Sequence, residues 1–296
     1  MSRYFLVRGE TERLDEATRA QLRGDFIGLS AGVTHYELRG PAAGALVVLI
    51  PGLTIPLFYW DAVVSELHQR GLRTLAYSAY GRGYSDRVHA TYDPTLFVDQ
   101  LAELLKRLKV AGPPHLVGSS MGALIAMHAM DSGKVAAHTL TLVGPAGLSE
   151  HPPLPRVVAA SEVLTNLAGR AAGPRALRKH LAHNVESPDL AAALAAMVAE
   201  GYRYEGSMYS LLSTMRAFPL ANQQPLYERI GSAGVPTQLL WGSDDRVTPI
   251  AGLQEAKTLL RLAGNQVHIV ESCGHMVPFE KPDTVADLTA LFTARN

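Results

Sequence analysis

HLVGSSMGAL, residues 115–124, places two adjacent serines between two glycines, directly after a short apolar run. Residues Gly118 to Gly122 have the form Gly-x-Ser-x-Gly, with Ser120 at the centre. Glycines two positions before and after a serine permit a sharp turn from a strand into a helix, because the backbones can pack closely. On such a turn the serine hydroxyl projects above the sheet, and the first amides of the helix face a developing oxyanion. The spacing therefore favours Ser120 over Ser119 as a nucleophile.

Short apolar runs on both sides of this turn alternate with longer helical patterns, which predicts an α/β fold. A pair of extended runs around a glycine-containing turn comes first and predicts a hairpin. The later runs are apolar almost throughout, which is typical of parallel strands covered on both faces by helices. The runs lie at residues 25–30, 33–40, 45–50, 72–78, 115–119, 138–144, 237–242 and 266–271. The sequence thus predicts a mostly parallel eight-stranded sheet with an N-terminal hairpin and helices on both faces.

One interval interrupts the alternation of strands and helices. Residues 148–232 contain several helical stretches rich in Ala and Leu, with prolines between them and no convincing strand. The simplest interpretation is a helical cap inserted between two neighbouring strands and packed over one end of the sheet. The predicted organisation is therefore a first part of the core at residues 1–147, a cap at 148–232 and a second part of the core at 233–296.

The charge balance of the chain disfavours several classes of partner. Lys plus Arg and Asp plus Glu both total 27, so the formal net charge is zero, and the sequence has no basic block typical of nucleic-acid binding. No stretch reaches the roughly 18 apolar residues needed to span a bilayer, and the charged N-terminal residues lack the apolar region of a signal peptide. The lone cysteine, Cys273, cannot form an internal disulfide. We therefore expect a cytoplasmic protein without a membrane span or a nucleic-acid partner, and the sequence leaves its oligomeric state open.

The sequence offers no convincing site for a metal or a dinucleotide. No pair of the 11 histidines has the spacing of a zinc-protease helix. His180 and His183 lie in a helical stretch of the cap beside Arg178 and Lys179, and a solvated helix face explains them better than a metal site. The Gly-x-Gly of YGRGYSD, residues 80–86, lacks the third glycine and the acidic partner of a dinucleotide fingerprint, so it predicts a tight turn. We expect neither a metal nor a cofactor.

Two loops after later apolar runs contain the partners that a serine nucleophile needs. LLWGSDDRVTP, residues 239–249, contains the adjacent Asp244 and Asp245, and VESCGHMVPFEKP, residues 270–282, contains His275. A serine hydroxyl is a poor nucleophile unless a neutral imidazole takes its proton and a buried carboxylate fixes the tautomer of that imidazole. All three residue types follow predicted strands, in the order Ser, Asp, His.

Five motifs in sequence order resemble those of capped esterases and lipases with the α/β-hydrolase fold: LIPGL (49–53), YGRGYSD (80–86), VGSSMG (117–122), WGSDDRVTP (241–249) and GHMVPFEKP (274–282). The resemblance runs from about residue 24 to the C-terminus. It implies Ser120 as the nucleophile, Asp245 as the acid, and His275 as the general base and then the general acid. It also implies that the backbone amides of Leu53 and Met121 form the oxyanion hole.

Two positions depart from the pattern that is usual in this family. Pro51-Gly52 stands where the family usually has His-Gly, and Ser78 stands where an aspartate usually precedes the Gly-x-Gly turn. A proline fixes φ and removes a backbone donor, and the serine removes a carboxylate that often braces this region. We therefore expect the loop that carries Leu53 to differ in shape from the usual one.

The motifs together predict a cofactor-free serine hydrolase that cleaves a carboxylic ester through an acyl-enzyme. The uncharged balance and the Leu- and Met-rich cap predict a small-molecule, apolar ester as substrate. Phe58, Tyr59 and Trp60 follow the oxyanion loop and are assigned either to the pocket wall or to the core. Carbon–carbon bond and thioester hydrolases use similar triads, and the fold does not choose among them. A ligand-binding protein that has kept the fold without turnover is a further alternative.

Overall fold

The eight apolar runs form one sheet in the computed structural model, which describes residues 5–151, 154–182 and 184–296. The strands are β1 (Asp25–Gly28), β2 (Val33–Arg39), β3 (Leu46–Ile50), β4 (Arg73–Tyr77), β5 (His115–Ser119), β6 (Thr139–Val143), β7 (Thr237–Gly242) and β8 (Val267–Val270). Their order across the sheet is β1-β2-β4-β3-β5-β6-β7-β8. β2 pairs antiparallel with both β1 and β4, and all other neighbours pair parallel. The predicted hairpin and mostly parallel sheet are confirmed.

Helices cover both faces of this sheet, as predicted. They are α1 (Glu16–Arg19), α2 (Asp61–Gln69), α3 (Pro94–Arg107), α4 (Met121–Asp131), α5 (Arg156–Ala159), α6 (Glu162–Leu181), α7 (Pro188–Tyr202), α8 (Ser207–Ala217), α9 (Gln224–Ser232), α10 (Leu253–Leu259), α11 (Val277–Glu280) and α12 (Pro282–Arg295). Helices α3, α4, α9 and α10 contribute to the apolar layer on one face, and α2, α11 and α12 contribute to the layer on the other. None of the helices in the described ranges is both long and apolar enough to cross a bilayer.

The alternation of side chains along each strand divides the core into these two layers. In β3, Val48 and Ile50 belong to one layer and Val47 and Leu49 to the other, and all four are fully buried. Successive side chains of a strand point to opposite faces, so a strand covered on both faces needs an apolar residue at every position. This requirement explains why the strand signals in the sequence are continuous apolar runs.

The interval between β6 and β7 is helical, as the sequence predicts. Helices α6, α7 and α8 contact one another. Helix α9 instead packs against α4 and α10, and its Leu226, Tyr227 and Ile230 belong to a core layer. The last helix of the predicted 148–232 interval therefore lies with the helices that cover the sheet.

The serine at position 78 retains the contacts that brace the loop after β3. Ser78 is fully buried, and its Oγ accepts a hydrogen bond of 3.1 Å from the backbone amide of Leu57. The same Oγ lies 3.3 Å from Nδ1 of His35, whose Nε2 lies 2.9 Å from the carbonyl oxygen of Arg23. A neutral imidazole with its proton on Nε2 satisfies both contacts, accepting from the serine and donating to the carbonyl. The hydroxyl of Ser78 and the ring of His35 thus link the segment at Arg23 to the loop after β3.

The burial of His35 makes the stability of the fold depend on pH. Burial lowers the pKa of His35 to about 4, from an ordinary value of about 6.5. The folded state therefore binds this proton less tightly than the unfolded chain does. The stability associated with neutral His35 is fully present above pH ~6.5 and is lost as the pH falls toward 4.

The free energy of unfolding of the unmodified protein should fall between about pH 7 and pH 4.5. In His35→Asn we expect this fall to be smaller by about 2–3 kcal/mol, because asparagine does not titrate. Urea denaturation at the two pH values measures this difference. His151→Asn, at an exposed histidine, is the matched control and should keep the full loss. Equal losses in His35→Asn and the unmodified protein would contradict the assignment.

Candidate active site

The predicted functional residues lie at one edge of the sheet, where the parallel strands end. Leu53 follows β3, Ser120 follows β5, and Asp245 and His275 follow β7 and β8. The carboxyl ends of parallel strands share one edge, so loops that are far apart in sequence meet there. The topology therefore brings the motifs together.

Ser120 occupies a strained turn between β5 and α4. Its φ of 54° and ψ of −117° are rare for any residue other than glycine. The flanking glycines permit this turn: a Cβ at Gly118 would lie 2.5 Å from the carbonyl oxygen of Gly122, and a Cβ at Gly122 would lie 2.2 Å from that of Ile50. The Ser120 residue is partly exposed, whereas Ser119 is only 1 % exposed. Of the two serines, Ser120 is the one that solvent and substrate reach.

Asp245 and His275 form a buried hydrogen-bonded pair. Oδ2 of Asp245 lies 2.8 Å from Nδ1 of His275, and their side chains are 0 % and 2 % exposed. The other carboxylate oxygen, Oδ1, accepts hydrogen bonds of 2.8 Å from the backbone amides of Val247 and Thr248. These amides fix the carboxylate, which in turn orients the imidazole. A neutral imidazole that donates from Nδ1 leaves Nε2 able to accept a proton.

Two residues beside this pair, Asp244 and Thr248, show which of the two adjacent aspartates contacts His275. Asp244 is exposed, and its carboxylate accepts a hydrogen bond of 2.9 Å from the hydroxyl of Ser243. The Thr248 hydroxyl lies 2.8 Å from Oδ2 of Asp245 and 3.2 Å from Nδ1 of His275. Sequence reasoning missed Thr248, although its position three residues after an aspartate is typical of local side-chain hydrogen bonds. The geometry places Asp245, and not Asp244, against the histidine.

The backbone of the loop that carries His275 donates hydrogen bonds to two other residues, Asn184 and Glu280. The backbone amides of His275 and Met276 donate to the carbonyl oxygen of Asn184, at 2.9 and 3.1 Å. Asn184 lies just beyond the end of α6. The amide of Gly274 donates to Oε1 of Glu280 at 2.9 Å. The helical insertion therefore makes direct hydrogen bonds to the histidine loop.

A cavity of about 870 Å³ opens beside Ser120. Leu53 and Met121 line it together with Ser120, so the structure brings both predicted oxyanion residues next to the predicted nucleophile. Val247 and Thr248, from the loop that holds Asp245, also line it. Within the described residues, no hydrogen bond joins the Ser120 hydroxyl to His275. In substrate-free enzymes such contacts are often long and tighten when the substrate binds.

Of the three aromatic residues that follow the Leu53 loop, Tyr59 and Trp60 lie in the core and Phe58 packs against it. Tyr59 and Trp60 are 1 % and 0 % exposed, and their rings pack edge to face with centroids 5.1 Å apart. Phe58 is partly exposed and lies under the guanidinium of Arg23, which is 4.8 Å from the ring centroid. None of the three is among the described residues that line the cavity. All three residues belong to a short 3₁₀ helix at Leu57–Trp60, and of the two assignments open from the sequence their burial favours the core.

A buried arginine holds the loop that carries Leu53. Arg82 is 1 % exposed, and its Nε donates to the carbonyl oxygen of Leu53 at 2.7 Å. Its Nη1 donates to the carbonyl oxygen of Tyr80 at 3.0 Å, and its Nη2 donates to Oγ1 of Thr214, in α8, at 2.9 Å. The planar guanidinium fixes the directions of its donors, so this contact restricts the backbone around Leu53. The sequence predicts only a tight turn here, because nothing in Gly-Arg-Gly distinguishes a buried arginine from an exposed one.

Cys273 and the histidines provide no other reactive centre in the part of the chain that the structure describes. Cys273 is fully buried, and burial raises the pKa of its thiol, which disfavours the thiolate. The described side chains include no group of three His, Cys, Asp or Glu residues placed to hold a metal ion. His183, the partner of His180 in the sequence, lies outside the described residues.

Comparisons with known proteins agree with this architecture. A model of the alpha/beta hydrolase family matches residues 47–288. The 2-hydroxy-6-oxononadienedioate/2-hydroxy-6-oxononatrienedioate hydrolase of Klebsiella pneumoniae is 28% identical over 242 residues, which cover 78% of this chain and 80% of that protein. Monoacylglycerol lipase ABHD6 of Mus musculus is 26% identical over 282 residues, which cover 88% and 79%. A thermophilic esterase from Thermogutta terrifontis superposes with a TM-score of 0.77 at 19% identity, over 93% of this chain and 99% of the other, and so shares the fold.

Proposed function

This chain belongs to the alpha/beta hydrolase family, and from that premise we propose that it is a serine hydrolase that cleaves a carboxylic ester. The observation that carries the proposal is the placement of Ser120 on a strained turn beside a cavity that Leu53 and Met121 also line. The buried pair of Asp245 and His275 in the neighbouring loops supports it. These groups are the ones that acyl transfer to a serine requires.

The proposed reaction is a two-step acyl transfer. Nε2 of His275 takes the proton of Ser120 as the serine Oγ attacks the ester carbonyl, and the amides of Leu53 and Met121 donate to the oxyanion. The imidazolium, stabilised by Asp245, then protonates the departing alcohol. His275 next takes a proton from a water molecule that attacks the acyl-enzyme, and it returns that proton to Oγ of Ser120 as the bond to the acyl group breaks and the acid leaves.

The proposal is tested by locating a covalent adduct. We expect a fluorophosphonate to label the unmodified protein once and to stop hydrolysis of nitrophenyl esters in proportion to labelling. Mass spectrometry of the digested protein should place the adduct on Ser120 and not on Ser119, because only the former lines the cavity. An adduct at another residue, or ester hydrolysis that survives complete labelling, would overturn the proposal.

Hydrolysis of a 2-hydroxy-6-oxo-dienedioate is the second candidate. The Klebsiella pneumoniae relative is named for that reaction, and its similarity extends over most of this chain. Comparing kcat/KM for such a dienedioate, for oxygen esters and for thioesters decides between the candidates. A higher kcat/KM for the dienedioate than for every ester would transfer the assignment to that substrate.

Removal of the Arg82 side chain is expected to reduce turnover without a comparable change in KM. We predict that Arg82→Ala lowers kcat by about 10- to 100-fold, because the amide of Leu53 loses its fixed position as an oxyanion donor. Steady-state kinetics on a nitrophenyl ester measures both constants. Free guanidinium should restore part of the rate to this variant alone. Thr214→Val removes the acceptor of Nη2 in α8 but leaves the contacts of Arg82 with Leu53 and Tyr80, so it is the milder comparison. An unchanged kcat in folded Arg82→Ala would refute the positioning role.

A further inference from the structure

The ionisable side chains that line the cavity beside Ser120 are all basic. Four basic side chains line it: His151, Lys179, His180 and Arg246. Among the described residues that line the cavity there is no aspartate or glutamate. In the whole chain, in contrast, Lys and Arg together number 27, as do Asp and Glu. The positive charge is therefore a local property of this cavity.

The basic residues reach the cavity from three separate parts of the chain. His151 follows β6, Lys179 and His180 lie in α6, and Arg246 directly follows Asp245 in the loop after β7. An exposed charged face of a single helix would not produce this convergence. The fold thus directs cations from the insertion and from the core toward one space.

Glu186 forms an ion pair with one of these basic residues. Glu186 lies 3.6 Å from the guanidinium of Arg246, in a loose pair whose arginine side chain is 65 % exposed. Glu186 does not line the cavity. Surface pairs of this kind are weak and exchange readily with a competing anion.

The rest of the cavity wall is mostly apolar. Leu148, Leu220, Trp241 and Val247 contribute to it, in addition to the two proposed oxyanion residues. Apolar walls exclude water and so strengthen the field that a set of cations exerts on a bound anion. The combination suits a molecule with an apolar stem and one charged end, whereas the sequence alone predicts an apolar ester.

We infer that the substrate is an ester that carries an anionic group, such as a carboxylate, which the basic residues of this cavity bind while Ser120 attacks the ester carbonyl. The inference rests on the proposed function and names its substrate class. The reaction remains hydrolysis of one ester bond by one water molecule, and the anionic group is unchanged.

The test compares esters that differ only in charge. Mono(4-nitrophenyl) glutarate carries the anion on the acyl side, and 4-nitrophenyl 5-methylhexanoate is its neutral match in shape. On the alcohol side, 4-carboxyphenyl butanoate is compared with 4-carbamoylphenyl butanoate. We expect kcat/KM to favour the anion by at least about tenfold in one of the two pairs, and the preference to shrink as the salt concentration rises.

The preference should also depend on the basic residues. In the double variant Lys179→Gln/Arg246→Gln we expect the ratio of kcat/KM for the anionic and the neutral ester to fall by about tenfold. Lys106→Gln, at an exposed lysine of α3 outside this cavity, is the matched control and should keep the ratio.

The outcomes separate this inference from the proposed function. Hydrolysis of the neutral esters with Ser120 labelled, but with no preference for either anion, would overturn the inference and leave the proposed function standing. A preference that persists in the double variant would likewise overturn it. The absence of both hydrolysis and labelling would refute the proposed function and the inference together.

Discussion

Ser120→Ala is expected to lower kcat for ester hydrolysis by about 10⁶-fold, because loss of a triad nucleophile removes covalent catalysis almost completely. The remaining rate would come from binding and from the oxyanion donors alone. Turnover of a nitrophenyl ester by the purified variant, at protein concentrations high enough to detect slow release, measures the effect. Urea denaturation shows whether the variant remains folded.

Ser119→Ala is the matched control for this substitution. Ser119 is buried, and its hydroxyl makes only a long contact of 3.5 Å with the hydroxyl of Tyr59. We expect its kcat to stay within about tenfold of the unmodified value, because the loss is confined to a weak buried hydrogen bond. If Ser119→Ala were the inactive variant and Ser120→Ala the active one, the assignment of the nucleophile would be wrong.

Asp245→Asn is expected to lower kcat by about 10⁴-fold while the fold stays intact. The amides of Val247 and Thr248 both donate to Oδ1 of Asp245, and an asparagine would keep its carbonyl oxygen at that position. Its NH₂ group would then face Nδ1 of His275 and donate to it. The imidazole would have to carry its proton on Nε2, the nitrogen that must accept the proton of Ser120. The loss thus follows from a reversed tautomer.

Asp244→Asn provides the comparison at the adjacent position. The Asp244 side chain is exposed, and among the described residues its carboxylate accepts a hydrogen bond only from the hydroxyl of Ser243, so we expect the kcat of this variant to change by less than about threefold. Measuring kcat for both variants over a range of pH separates a changed tautomer from a changed pKa. Equal losses in the two variants would show that the loop, and not the contact between Asp245 and His275, carries the effect.

The sheet and the turn around Ser120 are predictable from the sequence because each leaves a local pattern of residue types. Strands such as β3 are buried on both faces, and that burial requires the continuous apolar runs seen in the sequence. The Gly-x-Ser-x-Gly spacing similarly reflects two close backbone contacts, of Gly118 with Gly122 and of Gly122 with Ile50. In both cases close packing dictates the residue types over a short stretch of sequence, even where the contacting residue, as Ile50 is for Gly122, lies far away in the chain.

The rest of the site depends on tertiary contacts that no local pattern records. Arg82 is an ordinary polar residue in a turn until Leu53 and Thr214 supply its acceptors from other parts of the chain. Whether Phe58 and Trp60 line the cavity likewise depends on how distant segments pack around the short 3₁₀ helix that carries them. The basic lining of the cavity arises from segments that are far apart in sequence, and the neutral overall composition conceals it.

The attachment of the helical insertion limits how this protein can diversify. The insertion supplies the Asn184 carbonyl that holds the backbone of His275, and the Thr214 hydroxyl that binds Arg82. A foreign set of helices grafted between β6 and β7 would have to provide both acceptors before it gave any new selectivity. The insertion is therefore not an independent module. Single substitutions in the lining of the cavity are a more accessible route to a changed substrate preference than exchange of the whole insertion.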